Sequence, residues 1–263
     1  MKDYPRILAA VFGEPWLITR EKHLAIERIL LSRLEGEKAP DEEMETAAEP
    51  DLTIEDGTAI IPVHGIIGKH MSGLAMMSGG ADLDAIGAMT DAAEADASVN
   101  RVLFDFRSPG GTVTGIPEMG RKIYRMKKKT LAFTDSEANS GALWLASQAQ
   151  EFYATQSSAV GSIGVWTHRL DLSRQLENEG IKVNAISAGK YKLMGAYWKP
   201  LTDEERAILQ ARVDGIHNEF KLAVNARRQV DEKYMEGQIF NGEEAAQIGL
   251  VDGLVEDISE LFG

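Results

Sequence analysis

From Thr58 onward the chain alternates short apolar runs with longer stretches of helical period, and this alternation constrains its fold more than any other feature. Residues 59–63 (AIIPV), 102–106 (VLFDF), 130–134 (TLAFT), 151–154 and 183–187 read as strands. Residues 81–96, 116–127, 141–149 and 168–179 read as helices between them. Thr202-Asp203-Glu204-Glu205 is a capping-box pattern that opens a long amphipathic helix using Ile208, Leu209, Val213, Ile216, Phe220 and Val224. Strands that alternate with helices imply an α/β fold with a mostly parallel sheet.

Upstream, residues 18–34 carry apolar positions at helical spacing (Leu24, Ile26, Ile29, Leu30, Leu34), with Thr19 placed to cap them and Glu21 in the first turn. The run that follows is acidic, contains proline and has no apolar period, which is the composition of a flexible linker. The expected organisation is an N-terminal helical segment at 1–35, an acidic linker at 36–57 and one globular domain at 58–263.

With 41 acidic against 28 basic residues, the net charge of −13 argues against nucleic acid as a partner. The basic run at 121–129 (RKIYRMKKK) reads as a solvated helix end before a strand. There is no cysteine, so disulfides and thiolate metal sites are excluded. No segment reaches the length of a membrane span, and the N-terminus, broken by Asp3, Pro5, Glu14 and Pro15, is a poor signal peptide. A cytoplasmic protein without membrane anchor is expected.

Four segments carry possible chemistry. The strand at 102–106 runs into Arg107-Ser108-Pro109-Gly110-Gly111-Thr112, where two glycines let backbone amides face a phosphate or an oxyanion; a tight turn explains them equally. The strand at 130–134 leads to Ala138-Asn139-Ser140-Gly141-Ala142. Ser140 stands at a helix entry, where the dipole favours an anion and the Gly141 amide is free to donate. Taken alone it reads as a helix cap; Ser136 is a rival nucleophile without the following glycine. Gly161-Ser162-Ile163-Gly164-Val165 reads as a glycine-flanked strand whose hydroxyl could partner a buried amine. Gly189-Lys190-Tyr191-Lys192 supplies lysines, and a lysine becomes a base only when burial lowers its pKa.

These pieces, in this order, resemble the signal peptide peptidase A (protease IV) family of serine peptidases. The resemblance covers roughly residues 58–256 and also takes in 139–155 (NSGALWLASQAQEFYAT), 200–210 (PLTDEERAILQ) and 237–256 (GQIFNGEEAAQIGLVDGLVE). It implies the Clp-protease/crotonase-like fold of repeated ββα units. It implies Ser140 as nucleophile, Lys192 as general base, Ser162 as the hydroxyl that orients the base, and the amides of Gly111 and Gly141 as oxyanion hole. It implies no cofactor and no metal. It also implies a homo-oligomer in which Ser and Lys of neighbouring protomers meet. Membrane-bound members carry an N-terminal anchor that this sequence does not show, and Gln238 stands where many members have arginine. The WLITREKHLAIERIL module followed by an acidic run resembles the phage and prophage branch, whose members are capsid-assembly proteases; protein substrates, with scaffold or capsid proteins among them, are therefore expected, in the cytoplasm or inside a phage prohead.

Three rivals make different demands. A crotonase-like acyl-CoA enzyme would need two backbone amides but not Ser140 with Lys192. An inactive assembly scaffold would need neither. A histidine-based triad would use His64 or His168. Met71, Met76 and Met77 could line a groove, Tyr197 and Trp198 could desolvate Lys192, and Asp105 lies in a buried-looking strand without a legible partner.

Overall fold

The computed structural model describes residues 15–34, 51–71 and 79–262. A six-stranded sheet forms its centre, in the order β13-β10-β8-β6-β3-β2. Strands β3 (Thr58–His64), β6 (Arg101–Arg107), β8 (Lys129–Thr134), β10 (Glu151–Ala154) and β13 (Gly253–Leu254) run parallel, and β2 (Thr53–Glu55) adds an antiparallel edge. Four of the expected strands are therefore present within a residue or so of their expected ends. Their side chains are buried on both faces, as Phe104, Phe106, Phe133 and Phe152 show, which is why they read as continuous apolar runs.

Each central strand is followed by a short strand that leaves the sheet. β6 leads to β7 (Gly110–Thr112) and α3 (Ile116–Tyr124), and β8 leads to β9 (Glu137–Asn139) and α4 (Gly141–Ala146). Before them, β3 leads through β4 (Ile66–Gly68) and β5 (Gly80–Asp82) to α2 (Leu83–Ala95). This is the repeated ββα arrangement of a mostly parallel α/β fold. The short strands gather into two small sheets, one in the order β1-β7-β4-β5 and one in the order β12-β11-β9, where β11 is Ala159–Gly161 and β12 is Ile239–Asn241. Helix α6 (Asp203–Asn225) begins with the expected capping box between Thr202 and Glu205. It packs through Phe220, whose ring stacks on Trp144 of α4 at 4.7 Å, and helix α7 (Gly242–Gln247) closes the C-terminal part.

Three expectations need correction. Residues 183–187 form no strand; Val183 and Ile186 are exposed, because no strand among the described residues pairs with them and apolar content alone does not make a ladder. Helix 168–179 shrinks to α5 (Ser173–Asn178). The strand expected over 161–165 ends at Gly161, since Ser162 turns to φ +59°. Within the N-terminal segment, α1 (Arg20–Leu34) is preceded by a strand, β1 (Trp16–Ile18), that pairs with β7. The acidic run ends in a hairpin, with β2 paired to β3, while residues 35–50 of that run, and Met76 and Met77, lie outside the described residues.

Candidate active site

The turn between β9 and α4 carries Ser140 at φ +52°, ψ −116°, a conformation that is strained for a residue with a side chain. Its backbone is held on both sides. The Ser140 N–H donates to the Gly161 carbonyl at 2.8 Å, and its own carbonyl accepts from Trp144 N–H at 2.9 Å to start α4. The side chain does not cap the helix; the Oγ is buried and has no hydrogen-bond partner among the described residues. The cap explanation of Ser140 therefore fails on geometry. A strained, buried serine with an unused hydroxyl, at the step from strand to helix, is an arrangement that can serve a nucleophile.

The glycine pair lies directly beside it. Ser108 N–H donates to Glu137 and Asn139 N–H donates to Ser108, so the 108–111 turn and the 137–141 turn are bonded side by side. A Cβ on Gly141 would lie 3.4 Å from the Gly111 nitrogen, and one on Gly110 would lie 2.9 Å from the Gly141 nitrogen. Gly110 itself has φ +103°. Gly111 has no room for a side chain, because a Cβ there would sit 1.8 Å from the Ile67 carbonyl oxygen. Crowded backbone on every side explains two adjacent glycines better than turn geometry alone.

Ser162 arrives through the neighbouring strand. β11 runs parallel to β9 with Gly161 opposite Asn139, so Ser140 and Ser162 each stand one residue beyond a paired position. Both have positive φ. Ser162 N–H donates to the Gln238 carbonyl at 2.5 Å, so the backbone of Gln238 makes a contact here whatever its side chain. That side chain bonds within its own turn, to Glu236 N–H and the Lys233 carbonyl.

Lys192 is not brought to this cluster. It lies on an exposed, irregular stretch, and its ammonium has no hydrogen bond or ion pair among the described residues. Lys190 differs: it is paired with Glu204 at 2.6 Å, which raises its pKa, the opposite of what a base needs. Ile181, Val183, Ile186, Tyr191 and Tyr197, which flank Lys192 in sequence, are exposed as well. The structure thus joins Ser140, Gly141, Gly111 and Ser162 within one chain and leaves Lys192 outside.

The histidines have other partners. His64 Nε2 lies 2.8 Å from Asp105 Oδ2, and Arg107 Nε approaches the same oxygen at 3.5 Å, which supplies the partners of Asp105 that the sequence left open. His168 lies 2.7 Å from Glu27 of α1, and His23 lies 3.5 Å from the same oxygen. Burial holds His168 below the ordinary histidine pKa, against a smaller upward pull from Glu27. Donor atoms of His23, Glu27 and His168 all lie within 4.8 Å of one another, and they clamp α1 to the segment after Trp166.

The profile of Peptidase family S49 matches residues 122–258, more than half of the chain. The chain belongs to this family. As an S49 member it is 32% identical over 205 residues to the head-tail preconnector protein GP5 of Enterobacteria phage P21, covering 76% of the chain and 41% of that protein. It is 26% identical to the capsid assembly protease C of Escherichia phage lambda, covering 97% of the chain and 64% of that protein. It is 32% identical to the chloroplastic serine protease SPPA of Arabidopsis thaliana over 56% of the chain and 23% of that protein. The signal peptide peptidase A resemblance and its phage branch are thereby borne out. This S49 chain spans less than two thirds of the length of each of these relatives. Among solved structures, a stomatin-specific protease (1510-N, S97A mutant) aligns at TM-score 0.42 with 15% identity over 77% of the chain and 82% of that protein. An enoyl-CoA hydratase from Shewanella pealeana aligns at TM-score 0.47 with 11% identity over 85% and 75%. No helix among the described residues is long and apolar enough to cross a membrane.

The strand β1 is the part of the site that sequence reading missed. Trp16, Leu17 and Ile18 are buried and lie against β7, with Leu17 opposite Gly111. Three residues are too few to show a period, and Pro15 ahead of an extended apolar triplet was the only signal.

Proposed function

We propose that the chain is a serine endopeptidase working through a Ser-Lys dyad. Ser140 attacks a peptide carbonyl. The Gly111 and Gly141 amides receive the oxyanion. Lys192 of a neighbouring copy, oriented by Ser162, takes the Ser140 proton, passes it to the leaving amine and later activates water. The observation that carries this reading is the Ser140 hydroxyl: buried, unbonded, on a strained turn and beside the Gly110-Gly111 backbone. No cofactor and no metal enters the scheme.

Sharing the dyad between copies accounts for the isolation of Lys192. The exposed apolar side chains around it are of the kind a second copy would cover. Covering them would desolvate the ammonium and favour its neutral form. The similarity to phage capsid proteins supports scaffold or capsid polypeptides as substrates, cut in the cytoplasm or inside an assembling phage head.

The test is cleavage of casein and of a candidate scaffold protein by the wild type and by Ser140→Ala, Lys192→Ala and Lys190→Ala. The expected result is a loss of at least about a thousandfold for the first two and a change of no more than a few-fold for Lys190→Ala. Full activity in Ser140→Ala or Lys192→Ala would sink the dyad.

A further inference from the structure

We infer that the groove between β7 and Trp166 is the cleft for an extended peptide, and that the chain's own Trp16–Ile18 fills it as a substrate-like strand with Leu17 at the position of the cut. The inference rests on the peptidase reading and deepens it by naming the self-ligand and the side chain the cleft selects.

The strand is bonded on both edges. On one side it pairs antiparallel with β7, Leu17 opposite Gly111 and Ile18 opposite Gly110. On the other, Trp16 N–H donates to the Trp166 carbonyl at 2.8 Å and Trp166 N–H donates to the Trp16 carbonyl at 3.2 Å. An extended segment laid along the edge strand β7, with a single further bridge to Trp166, matches the β-addition mode of peptide recognition.

The register matters more than the pairing. Thr19 N–H donates to the Pro109 carbonyl at 3.2 Å. In an antiparallel ladder the matching bond, across Ile18 and Gly110, joins the Gly111 N–H to the Leu17 carbonyl. The same carbonyl oxygen lies 3.2 Å from where a Cβ on Gly141 would stand, and 2.0 Å from one on Gly110. Of the peptide carbonyls in this strand, that of Leu17 therefore occupies the place between the Gly111 and Gly141 backbones where the oxyanion would form. Ser140, the residue before Gly141, is 1% exposed.

Side chains divide as a bound peptide's would. Leu17 is fully buried and belongs to the main core, whereas Trp16 and Ile18 turn to the opposite side and pack with Ile26, Ile66 and Trp166. A leucine-sized apolar residue before the scissile bond is the substrate preference this implies. The chain as folded is latent: an outside peptide reaches Ser140 only when β1 leaves. If Ser140 does react in place, its Oγ bonds to the Leu17 carbonyl carbon and the bond to the Ile18 nitrogen breaks, with the proton going to that nitrogen. Water then releases a Leu17 carboxylate.

The test is the rate at which a fluorophosphonate probe labels Ser140 in the full chain, with intact mass recorded first. Leu17→Asp places a carboxylate in a dry pocket and is expected to raise the labelling rate at least about tenfold. Leu17→Ala keeps the backbone bonds and is expected to raise it less. If Leu17→Asp does not fold, Leu17→Ala carries the test alone. A wild-type chain found cut between Leu17 and Ile18 supports the same seating. Equal rates in wild-type and folded variants, with the wild type uncut, overturn the inference. Ser140→Ala must abolish labelling; labelling absent in every background overturns the peptidase reading instead. Hydrogen exchange of the Gly111 amide then judges the strand by itself: faster exchange in the variants keeps it, and unchanged exchange overturns it.

Discussion

The surroundings of Ser140 and of Lys192 differ in almost every physical respect. Around Ser140 the backbone is tied into two neighbouring segments, the Ser108 turn and β11, every residue from Ala138 to Ala146 is buried, and no space is left at Gly111. Around Lys192 the chain from 181 to 200 has no strand or helix; Ile181, Val183, Ile186, Tyr191 and Tyr197 are exposed, and Leu193, Met194 and Trp198 are half-buried. On the proposed reading a single chain pre-organises the nucleophile and the oxyanion site, which demand sub-ångström placement. The proposed base, Lys192, stays on the exposed surface. On the proposed reading this division would make activity depend on assembly.

The largest effect on the rigid half is expected from Gly111→Ala. The new Cβ would fall 1.8 Å from the Ile67 oxygen, so either β4 or β7 must shift. Loss of peptidase activity by about a hundredfold or more is expected from displacing one oxyanion donor, together with a lower melting temperature. Retained activity at wild-type stability would show that this half is less rigid than the contrast requires.

Legibility followed the same division. The central strands and α6 could be read because long apolar runs and a 3.6-residue period are statistical signals that packing enforces. Strands β4, β5, β7, β9 and β11 are three residues each, too short to show alternation, yet the glycine pair lies in β7 and the two positive-φ serines directly follow β9 and β11. Ser140, Gly111 and Ser162 could be proposed only through their order along the chain. Nothing in that order told that Ser140 would be strained and uncapped. The run at 183–187 misled because apolar content signals burial without saying what buries it; among the described residues Val183 and Ile186 stay exposed. β1 was missed because its burial comes from two distant segments, β7 and Trp166.

A smaller effect is expected between the two halves, at the clamp of α1. His168 has its pKa lowered from 6.5, with burial as the main cause, so the folded form prefers the neutral ring. The unfolded chain then binds the proton more readily. Stability is full above about pH 6.5 and falls as acidification carries the solution from there toward the folded-state pKa. Glu27, His23 and Arg169 share this environment. The expected outcome is a modest decline in melting temperature below pH 6.5 that His168→Gln removes. An unchanged decline in that variant would assign the acid sensitivity elsewhere.

The central claim is that the two halves belong to different copies, and mixing tests it most directly. Purified Ser140→Ala and Lys192→Ala chains, each inactive alone, are dissociated, combined in equal amounts and reassembled. If each site takes its serine from one copy and its lysine from the next, random assembly restores about a quarter of wild-type peptidase activity. If the mixture stays as inactive as its components, while wild type treated the same way regains activity, Ser140 and Lys192 work within one chain and the account is contradicted.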